Sequence, residues 1–301
     1  MDRTSDLHVF VKVMDRGSFS AAAEELGLTP SAVSKLMSRL EDRLGAKLLL
    51  RSTRRLALTA EGEAFLARSR RIVADVEEAE AEVTRLRGAP RGLLRVNAGT
   101  AFGLHVLAPS IAEFLARYPE INIELSITDR LVDLIEEQTD IGVRSGHIPE
   151  GPFTLRKIAD LHRLICASPA YLDRRGTPKS PSDLRQHDCV TVMGRGLNRW
   201  PFDVRGGVDV VEVRPRVMTD DAEAALRLAI EGAGLVRLSE AIVSGALRSG
   251  ELVTVLADVH HVEPFPLSAI YPVGRQRLPR CAVFLDFLFE KFSSAPWRLA
   301  R

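Results

Sequence analysis

The sequence predicts a chain in three parts: a small all-α-type head with a winged helix-turn-helix, one long linker helix, and an α/β body in two lobes. Three observations predict it. Two short helical stretches with cap residues and a tight turn between them fall within residues 17–59 and lead into a basic strand pair. Apolar residues then recur every seven positions between residues 60 and 87. From residue 93 onward, short strand patterns are interleaved with amphipathic helices, as βαβ units require.

In the head, Leu7, Phe10, Val11 and Met14 share one helical face, so a first helix is expected over residues 5–15. Ser18 is placed to cap a second helix built from Ala21, Ala22, Ala23, Glu24, Glu25 and Leu26, all good helix formers except the cap. Gly27 can take the left-handed conformation that stops it. Thr29 then caps a third helix, with Pro30 at its first position, where no donor is lost. Val33, Leu36, Met37, Leu40 and Leu44 mark its buried face; Ser31, Ser34, Lys35, Ser38 and Arg39 point the other way.

That outward face is small, hydroxylic and cationic, so it can enter a major groove and meet phosphates or base edges. Between residues 31 and 60 the basic residues are Lys35, Arg39, Arg43, Lys47, Arg51, Arg54 and Arg55, against Glu41 and Asp42. The whole chain is close to neutral, at net +1, so the positive charge is local, as in a DNA-reading module. The candidate DNA-binding residues are Ser18, Thr29, Pro30, Ser31, Ser34, Lys35 and Arg39, with Arg51, Arg54 and Arg55 at the wing tip, placed for phosphate or the adjacent minor groove.

These residues carry a resemblance. Ser18-Phe19-Ser20-Ala21-Ala22-Ala23, Leu26 through Lys35, Leu40-Glu41-Asp42-Arg43-Leu44-Gly45, and Leu58-Thr59-Ala60-Glu61-Gly62 look like the DNA-binding head of LysR-type transcriptional regulators. The match runs without a gap from about Leu7 to Leu66. Two departures matter: the family often has Gln before the Pro-Ala or Pro-Ser at the start of the recognition helix, where this chain has Thr29, and usually Arg where it has Lys35. Lysine is a point charge, not a planar fork, so the operator sequence does not carry over from relatives.

Thr59 can cap the long helix, expected to run over residues 60–87. Phe65, Ile72, Ala79 and Leu86 are spaced by sevens, with Val76 and Val83 between them, so these six form a heptad seam. A seam on a helix this charged needs a partner, and a second copy of the same helix is the expected one. By resemblance this is the family's linker helix, which sets two heads at half-site spacing.

Gly88-Ala89-Pro90-Arg91-Gly92 marks a boundary. Strands are expected at 93–98, 121–127, 140–144, 162–167, 189–193, 208–213, 216–218, 235–237, 252–256 and 267–271. Helices are expected after Gly99-Thr100-Ala101, and over 129–138, 220–231, 240–248 and 280–292, with a helix starting at Ser168-Pro169 and a short turn at 180–184. The alternation predicts a parallel sheet. Leu107-Ala108-Pro109, Phe114 through Pro119, Asp140 through Arg144 and Glu231 through Gly234 resemble the effector-binding domain of the same family, which implies a two-lobed periplasmic-binding-protein-like fold. The phrases are similar to the branch that includes malate-responsive and CrgA-like regulators. The expected domains are 1–59, 60–88 and 92–301, with lobe 1 at 92–160 and 267–301 and lobe 2 at 161–266.

In such a body a ligand lies between the lobes, at strand carboxyl ends and helix N-termini. Thr100 and Ala101 follow the first strand, Arg144 ends another and could grip a carboxylate, and Ser168, Thr191 and Thr219 lie at strand ends or helix starts. These six are the candidate effector-binding residues. No catalytic or metal-binding set is expected, because no GxSxG elbow, GxxxxGK[ST] loop or paired ligand motif occurs; no cofactor is expected either. Cys166 and Cys189 read as buried thiols or as a redox pair; Cys281 reads as buried. His260 and His261 are adjacent, so strand alternation turns them apart.

The chain has 301 residues, 46% apolar and 27% charged, with no run near the roughly 20 apolar residues of a membrane helix. The first ten residues lack a signal peptide's apolar stretch, so a cytoplasmic protein is expected. The resemblance implies a regulator that binds promoter DNA as a dimer or dimer of dimers and answers a small acidic or aromatic metabolite, such as a carboxylate; RNA polymerase is a further candidate partner. An enzyme domain or a solute-binding domain fused to the head is the alternative, separable by turnover or by export.

Overall fold

The computed structural model describes residues 3–50, 56–84, 90–130, 133–194 and 196–298. The chain divides into two compact units. One is Met1–Ala89 with Asp133–Thr139 and Gly274–Pro279; the other is Pro90–Val132, Asp140–Val273 and Arg280–Arg301.

The first unit holds helices α1 (Arg3–Arg16), α2 (Phe19–Leu26) and α3 (Pro30–Leu44). A wing of β1 (Leu49–Leu50) and β2 (Ala57–Leu58) follows, then the long helix α4 (Ala60–Thr84). The caps are those the residue types dictate. Ser18 accepts from the Ala21 N–H and Thr29 from the Ala32 N–H, and Gly27 and Gly45 end their helices with φ of 63° and 65°. Phe10, Val13, Ala22, Val33, Leu40 and Leu48 form the core of this unit. Leu44 departs from expectation: it is exposed, because it is the last helical residue, past the edge of that core.

Thr59 caps α4, accepting from the Gly62 N–H at 2.9 Å. Gly62 is required where it stands: a Cβ there would lie 2.1 Å from the Leu48 carbonyl oxygen. Phe65, expected on a seam for a partner, instead packs on the head's own core, 5.7 Å from the Phe10 ring. Leu66 and Ser69 are buried on the same side, so the first turns of α4 are covered by their own chain. Ile72 is exposed and Val76 half-buried. Leu86 and the side chains of Ala79 and Val83 lie outside the described residues, as do Arg51, Arg54 and Arg55.

The second unit has two five-stranded sheets. Strand β3 (Gly92–Ala98) runs into helical residues Thr100–Phe102 (α5), a π-turn at Gly103–Leu107 and α6 (Ala108–Arg117). Pro109 cannot donate to the carbonyl four residues back, and the helix widens just before it. With β4 (Ile121–Ile127), β5 (Ile141–Ser145), β6 (Phe153–Leu161) and a late strand from residues 265–272, β3 forms a sheet in which it is parallel to β4 and β5. The second sheet uses β7 (Arg163–Ala167), which leads into helix α7 (Pro169–Arg175), then β8 (Cys189–Val192). A hairpin of β9 (Arg199–Val204) and β10 (Gly207–Glu212) precedes β11 (Pro215–Thr219), α8 (Ala222–Ile230), β12 (Leu235–Ser239), α9 (Glu240–Ser249) and β13 (Val253–Thr254). Strand β14 (Phe265–Pro272) then returns to the first sheet, and α10 (Pro279–Phe292) follows.

Three features differ from the sequence reading. The sheets are mixed, not parallel, because the strands at the crossings between lobes run back: β14 is antiparallel to β5 and β6, and β7 to β12. Strands β6 and β9 were not expected; β6 shows three consecutive exposed residues and so lacks clean alternation. Residues 133–138 form turns instead of a helix. Asp133 takes the N–H groups of Ile135 and Glu136 on its own carboxylate, and Gln138 closes the turn with φ of 51°. Among the described residues no helix is long and apolar enough to cross a membrane.

Candidate functional site

On the head, the first turns of α3 present Thr29, Pro30, Ser31, Ser34 and Lys35 to solvent. Thr29 and Ser31 hydroxyls are 3.0 Å apart, which orders the small polar tip of the helix. Ser18 is half-buried and its hydroxyl is used as a cap. Arg39, expected to face a phosphate, turns to α1 instead, where it pairs with the buried Asp6; Arg43 approaches the same carboxylate at 3.6 Å. Arg39 keeps nearly the same face as Lys35, but its long side chain reaches the buried Asp6 carboxylate on α1. Asp6 therefore locks the recognition helix onto its support.

Glu41 has a similar task that its charge alone did not reveal. It is buried, and its Oε1 accepts from the N–H groups of Leu48 and Leu49 at 2.9 and 3.2 Å. Its other oxygen meets Lys47 Nζ at 2.7 Å. Burial alone would raise this carboxyl, but Lys47 and the two N–H groups outweigh it and hold it below the usual range. The wing thus hangs from the end of α3.

In the second unit a cavity of about 150 Å³ lies between the two sheets' lobes. Strands β8 and β12 are parallel and β7 is antiparallel to them, with Arg163 opposite Ser239. The carboxyl ends of β8 and β12 and the start of β7 therefore meet at the cavity. They bring Thr191, Ser239, Arg237 and Arg163 together, joined by Trp200 from β9. Lobe 1 supplies Ala101, Asp129 and Ser145. Arg163 lies over the Phe265 ring at 4.1 Å. Arg237 donates through Nε to His260 Nε2 at 2.9 Å. Burial, with Arg237 adding to it, pushes His260 down to about 4, so the imidazole is neutral and can accept. Burial also lowers Arg237, to about 10, which leaves it a cation at neutral pH. His261 turns away to Asp203 at 2.7 Å; the expected strand is absent there, since His260 makes only an isolated bridge to Phe202 and His261 lies in a loop.

Of the six candidate effector residues, the structure brings two to this cavity: Ala101 and Thr191. Thr100 offers no free helix N-terminus, because Asp129 accepts its backbone N–H at 2.8 Å. Arg144 does not line the cavity. It is one residue before Ser145, so alternation sends it to the opposite face of β5, where it donates to Asn97 and to the carbonyls of Val143 and Arg130. Ser168 lies at the far end of its sheet, because β7 runs antiparallel and ends away from the lobe junction. Thr219 is at the near end, but its hydroxyl accepts from the Asp221 N–H, and it is Asp221 that caps α8.

Arg163, Trp200, Arg237 and Ser239 escaped the sequence reading. The available signal was a charge inside otherwise apolar strands, RLICA and LVRLS. The cysteines do not pair: Cys166 and Cys189 belong to cores on opposite faces of the lobe 2 sheet, with β12 between their strands. Burial pushes both thiols up to about 12, with Asp188 adding at Cys189.

Residues 4–63 match the family described as bacterial regulatory helix-turn-helix protein, lysR family, and residues 87–293 match the LysR substrate binding domain. The chain is 36% identical over 293 residues to the HTH-type transcriptional regulator CrgA of Neisseria meningitidis serogroup B, covering 97% of each chain. It is 35% identical to an HTH-type transcriptional regulator of Xanthomonas campestris pv. campestris, covering 96% of this chain and 85% of that one. The solved structure of Neisseria meningitidis CrgA superposes with a TM-score of 0.64, covering 97% of this chain and 99% of that chain.

Proposed function

This chain belongs to the LysR family of transcriptional regulators, and from that premise we propose how its parts divide the work. Residues 1–59 read promoter DNA, residues 60–88 pair two chains, and residues 92–301 sense a small molecule. The observation that carries this reading is the exposed, small and cationic start of α3, backed by a core that takes Val33, Met37 and Leu40 to the other side. Ser31, Ser34 and Lys35 enter the major groove, and Lys35 with Arg51, Arg54 and Arg55 supplies phosphate contacts and a steep salt dependence. Arg39 acts through Asp6, by holding α3 in place. The exposed Ile72 with Val76, Ala79, Val83 and Leu86 forms the seam with a second copy, giving a dimer and then a dimer of dimers that engages RNA polymerase.

The effector occupies the interlobe cavity. A ligand that contacts both lobes favours one arrangement of them, and only that difference in affinity shifts DNA binding. The chain regulates without catalysing a reaction, in the cytoplasm where its DNA lies. Fluorescence anisotropy with a duplex from its own promoter, beside a scrambled duplex at moderate salt, tests the reading. A preference for the promoter that falls on Lys35→Ala supports it; equal affinity for both duplexes refutes it.

A further inference from the structure

The chemistry of the cavity wall selects its ligand, and this inference rests on the cavity being the effector site. Thr191 Oγ1, Ser239 Oγ, Trp200 Nε1 and one terminal nitrogen of Arg237 are buried and have no hydrogen-bond partner among the described residues. All four groups can donate. Buried donors left unmatched are costly, and four converging on one cavity make a surface that a ligand's acceptors can meet in place of ordered water. Arg163 adds a second guanidinium. Glu263 acts on both arginines through space but is not part of the wall, and the neutral His260 cancels no charge. The lobe 2 side is therefore a donor surface with positive charge. The lobe 1 side carries the Asp129 carboxylate and Ser145.

We propose that the ligand is a small monocarboxylate. Its carboxylate is gripped from lobe 2 by Arg237, Thr191, Ser239 and Trp200, and its uncharged end faces Asp129 on lobe 1. A carboxylate offers about four lone-pair sites, enough for these donors, whereas an amide offers one oxygen and brings donors of its own. A second carboxylate on the ligand would face Asp129 and be repelled.

The test is calorimetric titration of the full-length protein with acetate, lactate, benzoate and succinate, each beside its primary amide. Operator anisotropy is read in the same samples. The expected result is that a monocarboxylate binds, its amide binds at least about tenfold more weakly, and succinate is disfavoured. Arg237→Met should weaken binding on the order of 100-fold. Thr191→Val should weaken it about tenfold while the protein unfolds no earlier, which guards against misfolding as the cause. Asp129→Asn should narrow the gap between succinate and the monocarboxylates. An amide as tight as its acid, a succinate tighter than every monocarboxylate, or no carboxylate bound at all overturns the proposal. A neutral compound that binds, is lost in Thr191→Val and shifts operator affinity overturns the ligand class while the effector reading stands. A monocarboxylate that binds as described without moving operator affinity does the reverse.

Discussion

Replacing Glu41 should detach the wing from the recognition helix, and the size of the effect follows from what the carboxylate holds. Glu41→Ala strands the N–H groups of Leu48 and Leu49, of which Leu48 is almost fully buried. An unsatisfied buried donor costs about 1–3 kcal/mol, so the pair should cost about 2–4 kcal/mol, the Leu49 donor counting for less because it is half-buried. Glu41→Gln keeps an oxygen for both donors and loses only the Lys47 ion pair. Lys47 is 60% exposed, so that loss should be about 0.5 kcal/mol or less. Thermal unfolding of the head with α4, followed by circular dichroism, separates the two variants. The alanine variant should melt roughly 10–20 °C lower, by the scaling for small domains. Equal destabilisation by both, or a negligible effect of the alanine variant, would refute the assignment of the two N–H bonds as the main contribution. The pH dependence supplies a second check. The folded carboxyl is held below its usual range, so its contribution is full above the unfolded pKa and is lost as pH falls through the lower folded value. Glu41→Gln should flatten this part of the acid limb.

Other consequences can be measured directly. Lys35→Ala should lower operator affinity and reduce the slope of log affinity against log salt by about one contact, with the melting temperature unchanged. Gly62→Ala should destabilise the head by about 2 kcal/mol or more, since the new Cβ meets a backbone oxygen that cannot swing aside, and thermal melting will show it. Arg144→Ala should lower the stability of the effector domain by about 3 kcal/mol by breaking its bonds to Asn97 and two carbonyls; a loss of ligand binding with unchanged melting would restore it to the cavity. Diamide should leave Cys166 and Cys189 as free thiols in the folded protein, as mass spectrometry after alkylation can establish.

Local chemistry determined what could be read from the chain alone. Caps at Ser18, Thr29 and Thr59, glycines at 27 and 45, and apolar spacing through α3 are decided by neighbours a few residues away, so the head and its exposed tip were legible. The same holds for most helices and strands of the body. What the tertiary structure decided are the long-range choices. Arg39 finds Asp6 across 33 positions, and Glu41 finds the wing only once the chain turns back. Phe65 follows a heptad spacing that suits a partner helix, yet an adjacent core claimed it first. At the cavity, strand direction was the deciding fact. Because β7 runs against β12, Arg163 is placed at the lobe junction and Ser168 at the other end. Because side chains alternate, Ser145 faces the cavity and Arg144 does not. Sequence patterns report which residues share a face; only the folded sheet says where that face looks.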